Sequence, residues 1–350
     1  MLKKLIIGGG GSAGHVLPSL RIADFVKDYY SDIIFIGGKN SIEESICKEM
    51  GVKFISIETA KFDRTNKIKL PLAAIKNLAG IFQALILLLR LKPDAIFVSG
   101  GYASVPLVVA GRIVGVKRIV LHVCDLTMGL AHKLCAPFAT HITSTFSKTV
   151  ESLDKGKFVG PISPFVNKSI SNIVKSENNK PCLLVYGGSL GSQVINLKLR
   201  KSLDEILPKF NIIHVCGKGN LDSTVTAAGY TQFEFVHNFQ QLLLKADFSI
   251  TRGGSNSLWE LILAKIPHIA VPLPLSVSRG DQIENCKYFA SLGVSRYLEQ
   301  GHFVISDLAA ELENLVSSAI EIKQNMDLIT PKKQATIVVK EILLNNLEVK

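Results

Sequence analysis

Tryptophan occurs once in the 350 residues, methionine four times, and the six cysteines stand far apart with no C-x-x-C pair among them. No set of histidine ligands accompanies those cysteines. Neither a zinc site nor a disulfide framework is expected, and the thiols read as reduced groups in a cytosolic compartment. No two aspartates are separated by a single residue, so the D-x-D arrangement that many enzymes use to hold a divalent ion is missing. The opening, Lys3 and Lys4 running at once into a short strand and glycines, lacks the pattern of a secretory signal. The longest apolar stretch, "LAGIFQALILLLRL" from Leu78 to Leu91, falls short of the ~20 residues a bilayer span needs, so no transmembrane segment is expected. Charged residues make up 20% of the chain against 47% hydrophobic ones, enough for sizeable cores and wrong for disorder.

Acidic residues are the scarcer sign, and the formal net charge is +11. Up to Phe165 there are 21 Lys and Arg against 12 Asp and Glu, a balance of +9; the remainder has 19 against 17, only +2. Nucleic acid is the usual partner of such an excess, but no basic run is interleaved with aromatics, and no nucleic-acid partner is expected. An anionic membrane surface or a polyphosphate ligand fits the same charge.

What is present is alternation. Short β-rich runs and helical stretches follow one another, the pattern of βαβ units around a mostly parallel sheet. The length favours two domains. Strands are expected at "KKLIIG", "DIIFIGG", "KFISIE", "DAIFVSG", "KRIVLHV" and "HITSTF" in residues 1–165. A polar linker over residues 166–181 precedes a second series in 182–330: "CLLVYGG", "NIIHVCG", "FEFV", "FSITRGG" and "HIAVPLP". A last helix, from about Pro331 to Leu347, has apolar residues at helical spacing and suits a return onto the first domain.

Gly9, Gly11 and Gly14 satisfy G-x-G-x-x-G between a strand and a helix. Glycine lets the backbone turn sharply, and amides at a helix N-terminus favour an anion. A dinucleotide site also needs an acidic residue at the end of the second strand, but "IFIGGKN" offers Gly37, Gly38 and Lys39, which disfavours NAD. Three further turns share the construction: "FVSGGYASVP", "LVYGGSLGSQVIN" and "ITRGGSNSLWEL". Each alone is compatible with a plain chain reversal. Four at carboxyl ends of parallel strands, split between two domains, suggest phosphate-grade donors on both walls of one cleft. Each helix end stabilises an anion by ~0.3–1 kcal/mol, so several together can stand in for a metal ion. No metal or cofactor is expected.

These segments, in this order, resemble a known family over nearly the whole chain. "GGGSAGHVLPSL", "GGYASVPLVVAGRIVGVKRIVLH", "GGSLGSQVIN", "TRGGSNSLWEL" and "RGDQIEN" are similar to the motifs of the bacterial glycosyltransferases that move N-acetylglucosamine (GlcNAc) from UDP-GlcNAc onto undecaprenyl-pyrophosphoryl-MurNAc-pentapeptide. The resemblance implies an α/β GT-B fold: two Rossmann-like domains with mostly parallel sheets facing a central cleft, the first for acceptor and membrane, the second for UDP-GlcNAc. It implies that Ser189, Ser255, Asn256 and Ser257 address the diphosphate, Glu260 the ribose, Val236 the uracil and Gln282 the sugar hydroxyls. It implies that Ser12, Ala13 and Gly14 line the acceptor side with His15 beside them. Ser257 and Glu260 also read as S-x-x-E, a capping box that would simply start a helix.

Two departures from the family stand out. Where it has His-Glu-x-Asn, this chain has His122, Val123, Cys124 and Asp125, and where it has an arginine after a Gly-x-Pro turn, this chain has Ser163. His15 is the first candidate for the base that takes the acceptor's proton, and Asp125 is the second and a candidate acceptor ligand. His122 suits a core or a site role. The resemblance also implies peptidoglycan synthesis at the cytoplasmic face of the membrane, with peripheral attachment and partners in cell-wall synthesis and division. Residues 67–92, apolar with Lys67, Lys69, Lys76, Arg90 and Lys92, are the expected membrane-facing segment. Open alternatives are a GT-B transferase with another lipid acceptor, a UDP-GlcNAc hydrolase or epimerase, and a non-catalytic homologue.

Overall fold

The apolar runs form parallel strands in a computed structural model, which describes residues 3–60, 70–163, 180–188, 191–236 and 238–344. Two compact units result: Met1–Pro164 with Pro331–Lys350, and Phe165–Thr330.

The first unit begins with β1 (Lys4–Gly8), α1 (Ala13–Val26), β2 (Asp32–Gly38), α2 (Ile42–Glu49), β3 (Phe54–Ile57) and α3 (Leu70–Leu91). It continues with β4 (Ala95–Val98), α4 (Ser104–Ile113), β5 (Arg118–Val123), α5 (Leu130–Cys135), β6 (His141–Ser144), α6 (Ser147–Val150) and β7 (Gly156–Phe158). The strands pair in parallel in the order β3-β2-β1-β4-β5-β6-β7. Side chains alternate across the sheet, and both faces are covered. Leu5, Ile7, Phe35 and Phe97 pack with Val16 and Leu20 on one side, while Ile6, Ile36, Ile96 and Val98 pack with Leu88 and Leu107 on the other. Burial on both faces is why the strands read as unbroken apolar runs.

The second unit comprises β8 (Cys182–Tyr186), α7 (Gln193–Lys201), α8 (Leu203–Ile206), β9 (Asn211–Val215), β10 (Tyr230–Phe233), α9 (Phe239–Lys245) and β11 (Phe248–Thr251). There follow α10 (Ser255–Leu263), β12 (His268–Ala270), α11 (Asp281–Ser291), β13 (Arg296–Tyr297), α12 (Gln300–Ile305), α13 (Leu308–Ser317) and α14 (Ala319–Ile329). Its sheet, again parallel, has the order β10-β9-β8-β11-β12-β13.

The chain then returns to the first unit. Val339, Ile342 and Leu343 of α15 (Ala335–Leu343) are buried in the cluster that holds Val16 and Leu20. Each such side chain contributes ~1.5–3 kcal/mol when fully buried. Polar contacts fix the end of the helix. Tyr30 Oη and Arg118 Nη1 both donate to the Leu343 carbonyl, at 3.1 and 3.3 Å, and Lys340 Nζ lies 5.1 Å from the centre of the Tyr29 ring.

Several elements differ from expectation. β7 and the two-residue β13 lack an apolar run to announce them. β10 lies three residues before "FEFV", because as an edge strand it alternates exposed and half-buried residues after Tyr230. The last helix is shorter than Pro331–Leu347. In contrast, α3 reaches 22 residues, and its segment Pro71–Leu91 is long and apolar enough to cross a membrane by length and composition. One face of α3 is nevertheless core: Ala73, Asn77, Ala84 and Leu88 are buried, and Gly80 lets the helix approach the Glu58 carbonyl so closely that a Cβ there would sit 1.9 Å from it.

Candidate functional site

Strand order gives the glycine turns their meaning. In each sheet the winding reverses at one point, between β1 and β4 and between β8 and β11. Ligands of open α/β sheets bind outside the carboxyl ends of strands at such points. The turns after β1 and β4 meet at the first, and those after β8 and β11 flank the second.

At the first point, Gly10 N donates to the Gly100 carbonyl at 3.1 Å, joining the two turns. Ser19 Oγ donates to the Gly8 carbonyl, Ser99 Oγ donates to the His15 carbonyl, and the two hydroxyl oxygens lie 2.8 Å apart. The Glu43 carboxylate, fully buried, accepts Gly11 N at 3.3 Å and Gly38 N at 3.2 Å. The loop therefore already spends the Gly11 amide on an anion of the protein itself. Ser12 is the N-cap of α1 and makes no side-chain capping bond; Ala13, Gly14 and His15 form the first turn, with Ser12 and Gly14 exposed.

Three histidines gather at this end of the sheet. The rings of His15 and His132, the latter on α5, meet edge to face with centroids 5.8 Å apart. His122, in β5, lies nearly flat on Phe97, and its Nδ1 pairs with Thr143 Oγ1 at 3.0 Å. Burial, then the nearby His132, pushes His122 down to about 3. Burial, then His15, pushes His132 down to about 4, against an upward pull from the Asp125 charge. Both are neutral at physiological pH. Asp125 is half-buried just beyond β5, adjoining the buried Cys124, whose thiol burial pushes up. Where the family's arginine is missing, a cation arrives from another element: Arg21 Nη1, on α1, donates to the Ile162 carbonyl at 3.0 Å, next to Ser163.

At the second point, α10 starts at Ser255 with Gly254 as N-cap, and its first intrahelical bond runs from Leu258 N to the Gly254 carbonyl. The amides of Ser255, Asn256 and Ser257 thus lie in the opening turn at the end of β11, where helix amides face outward. Ser257 and Glu260 are not a capping box, because the helix begins two residues earlier and Glu260 lies beyond its first turn. Glu260 acts instead on Tyr186 at the end of β8. Burial first, then the Glu260 charge, raises the Tyr186 phenol, while the Thr251 and Ser257 hydroxyls pull it the other way. Val236 packs against the cluster containing Tyr186, beyond β10. Gln282, on α11, accepts Leu273 N at 3.1 Å, and its backbone carbonyl would lie 2.8 Å from a Cβ at Gly253, so it borders the turn before α10. The structure brings Ser255, Asn256, Ser257, Glu260 and Gln282 to one strand end, with Val236 packed on the cluster that holds Tyr186. Ser189 lies outside the described residues.

His132, Tyr186 and Arg252 have no place in the sequence reading. Arg252 is buried and its Nη1 donates to the Val271 and Pro272 carbonyls and to Gln300 Oε1, at 3.2, 3.3 and 2.9 Å. Burial lowers its pKa, and among the described residues it forms no ion pair. Its signal is in "TRGG": a cation two residues before a helix-starting glycine. Among the described residues no group of three or more His, Cys, Asp or Glu is arranged to hold a metal ion.

Comparison with known proteins places these strand ends in context. Residues 5–144 match the glycosyltransferase family 28 N-terminal domain, and residues 182–340 match its C-terminal domain. A protein of Clostridium botulinum (strain Kyoto / Type A2) is 38% identical over 323 residues, which are 90% of this chain and 91% of that one. It is named UDP-N-acetylglucosamine–N-acetylmuramyl-(pentapeptide) pyrophosphoryl-undecaprenol N-acetylglucosamine transferase. A protein of Clostridium novyi (strain NT) with the same name is 37% identical over 334 residues, 93% of each chain. Among solved structures, MurG of Acinetobacter baumannii superposes with a TM-score of 0.79 at 21% identity, covering 98% of this chain and 99% of that one. The calicheamicin glycosyltransferase CalG4 superposes with a TM-score of 0.68 at 15% identity, covering 99% and 100%.

Proposed function

The chain belongs to glycosyltransferase family 28, among the bacterial N-acetylglucosamine transferases that act on pyrophosphoryl-undecaprenol-linked N-acetylmuramyl-pentapeptide, and on that premise we propose that it converts lipid I to lipid II. It is a hexosyltransferase with the paired parallel-sheet units of the GT-B fold. GlcNAc passes from UDP-GlcNAc to the C4 hydroxyl of MurNAc. The observation that carries this reading is the gathering of the opening turn of α10, Glu260 and Gln282 at the switch point of the second sheet.

In this reading the second unit takes the nucleotide sugar. The diphosphate meets the amides of Ser255, Asn256 and Ser257, and Ser189 from the neighbouring turn. Glu260 accepts the ribose hydroxyls, the Val236 backbone meets uracil, and Gln282 bonds the sugar. The first unit takes the acceptor at Ser12, Ala13, Gly14 and Asp125. The acceptor oxygen attacks C1 opposite UDP, its proton goes to His15, and the electron pair of the broken C1–O bond leaves with UDP. The α-linked donor thereby gives a β-linked product. Charge grows on the leaving diphosphate, so amides fixed beforehand, with the Arg252 guanidinium close by in sequence, favour the transition state over the ground state. An imidazole is the side chain suited to taking a hydroxyl proton and passing it on, with Asp125 the alternative base.

The acceptor's lipid calls for peripheral attachment at the cytoplasmic face. The outer side of α3 supports it: Leu72, Ile75, Leu78, Phe82 and Leu89 are 57–65% exposed, with Lys76, Arg90 and Lys92 exposed among them. Lys67 and Lys69 lie outside the described residues.

The deciding experiment incubates the protein with UDP-GlcNAc and a short-chain lipid I analogue and reads the mass and linkage of the product. A β-linked GlcNAc-MurNAc product is expected. Transfer only to a different lipid, free GlcNAc without acceptor, a changed C2 configuration, or no turnover would each overturn the reading. Unchanged turnover by His15→Ala at saturating donor would remove His15 as base.

A further inference from the structure

Two nitrogens on touching rings are left without partners. His15 Nδ1 and His132 Nε2 are both buried, and neither has a hydrogen bond. The His132 side chain is all but enclosed, at 4% exposure, and lies against the turn after β4. A Cβ at Gly100 would fall 2.3 Å from His132 Nε2, and Gly100 also has φ of +100°, so this glycine makes the space that the imidazole fills. Leaving a buried polar atom unpaired is unfavourable, and two such atoms on rings in edge-to-face contact need a reason.

A neutral imidazole carries one donor and one acceptor nitrogen. Burial and the neighbouring His15 hold His132 neutral, and the His122 and Ser99 backbone groups act on its N–H. Resting on the reading of His15 as the base, we propose that His132 is a positioning residue for it. His132 carries its proton on Nδ1, toward the backbone, and offers the lone pair of Nε2 to the Nδ1–H of His15. That fixes the His15 tautomer and leaves the lone pair of His15 Nε2 for the acceptor hydroxyl. The ring centroids lie 5.8 Å apart, a spacing compatible with an N–H···N bond between two imidazoles, and catalytic hydrogen bonds often tighten only when substrate binds. It is the orienting role that a carboxylate plays toward histidine in hydrolytic triads, performed here by a second imidazole.

The test uses the full chain labelled with [15N]histidine, and long-range proton–nitrogen correlation spectra at alkaline pH. The His15 signals are identified by their loss in His15→Gln. Free imidazole favours the proton on Nε2; the native protein is expected to show His15 with its proton on Nδ1. His132→Leu should return that proton to Nε2 and lower kcat by about tenfold to a hundredfold with the KM for UDP-GlcNAc unchanged. His132→Gln, whose carbonyl oxygen can accept the same bond, should restore the Nδ1 tautomer and most of the rate. A native His15 protonated on Nε2 overturns the proposal without recourse to any variant. So does an identical His15 tautomer in native protein and a folded His132→Leu. The Nδ1 tautomer in a protein that transfers no GlcNAc would support the pairing while defeating the activity assigned above.

Discussion

The carboxylate of Glu43 accepts the backbone N–H of Gly11 at 3.3 Å, and its other oxygen accepts that of Gly38 at 3.2 Å. One buried side chain on α2 therefore ties the turn after β1 to the end of β2. A Cβ at Gly10 would lie 2.5 Å from the same carboxylate, so a larger residue there would push Glu43 away from these two amides. Glu43→Ala leaves the buried Gly38 amide with no acceptor, while the amide of the exposed Gly11 can turn to water. The expected loss is about 1–3 kcal/mol of stability for the buried Gly38 amide, read as a lower urea midpoint with unchanged slope. Transfer should also weaken, because the first turn of α1 follows directly. A variant as stable as the native protein would show that the turn holds its shape without Glu43.

Glu260 predicts a different signature. Its charge already bears on Tyr186, so it faces the end of β8 where a nucleotide would approach, and it does no capping work for α10. Glu260→Gln should raise the KM for UDP-GlcNAc by about tenfold to a hundredfold, the worth of charge-assisted bonds to hydroxyls, and leave kcat nearly unaltered. A drop in kcat at unchanged KM would move Glu260 from binding to chemistry.

The fold class was legible because strands buried on both faces leave unbroken apolar runs, and six of the eleven runs end in glycine. β13 was hidden because two residues carry no pattern, and β10 because an edge strand follows no apolar rhythm. The rival capping-box reading of Ser257 and Glu260 fails for a local reason: the pair has the right spacing, but Gly254 ends the extended chain first and the helix starts at Ser255. Glu43 and His132 were illegible for a non-local reason. Glu43 acts 32 residues from Gly11, and His132 reaches His15 across the whole of β4, α4 and β5. Arg21 likewise meets Ile162 from the far end of the unit. Such meetings follow from strand order, which a single sequence does not print.

Buried imidazoles set a pH limit on stability. Burial holds His122 at about 3 and His132, His214 and His268 at about 4, against an ordinary value of 6.5. Below pH 6.5 the unfolded chain takes up protons that the native protein refuses, so the unfolded state is favoured as pH falls. The stabilisation is complete above 6.5 and drains away toward 4, by up to about 1.4 kcal/mol per pH unit for each histidine. Urea unfolding at neutral pH and at about pH 5 should show a clearly lower midpoint in acid. Equal midpoints would mean that these rings titrate in the native state as they do in water.

The outer face of α3 poses the question of what an apolar surface does when its own chain leaves it bare. A helix apolar all round belongs in a core or a lipid phase, and α3 gives the core only the side bearing Ala73, Ala84 and Leu88. The opposite stripe, with Phe82 at its middle, is flanked by Lys76 and Arg90, and a basic residue near an anionic bilayer contributes ~1 kcal/mol. Lipid insertion and charge attraction then act together, which gives two separable dependences. Native protein should float with vesicles containing anionic lipid and much less with zwitterionic ones, and added salt should weaken the difference. Leu78→Ser with Phe82→Ser should abolish flotation at any lipid charge, whereas Lys76→Glu should cost only the anionic preference. All three substitutions fall on exposed positions, so each should change the unfolding free energy by no more than about 0.5 kcal/mol. Flotation of the double variant equal to native protein would take α3 out of membrane binding altogether.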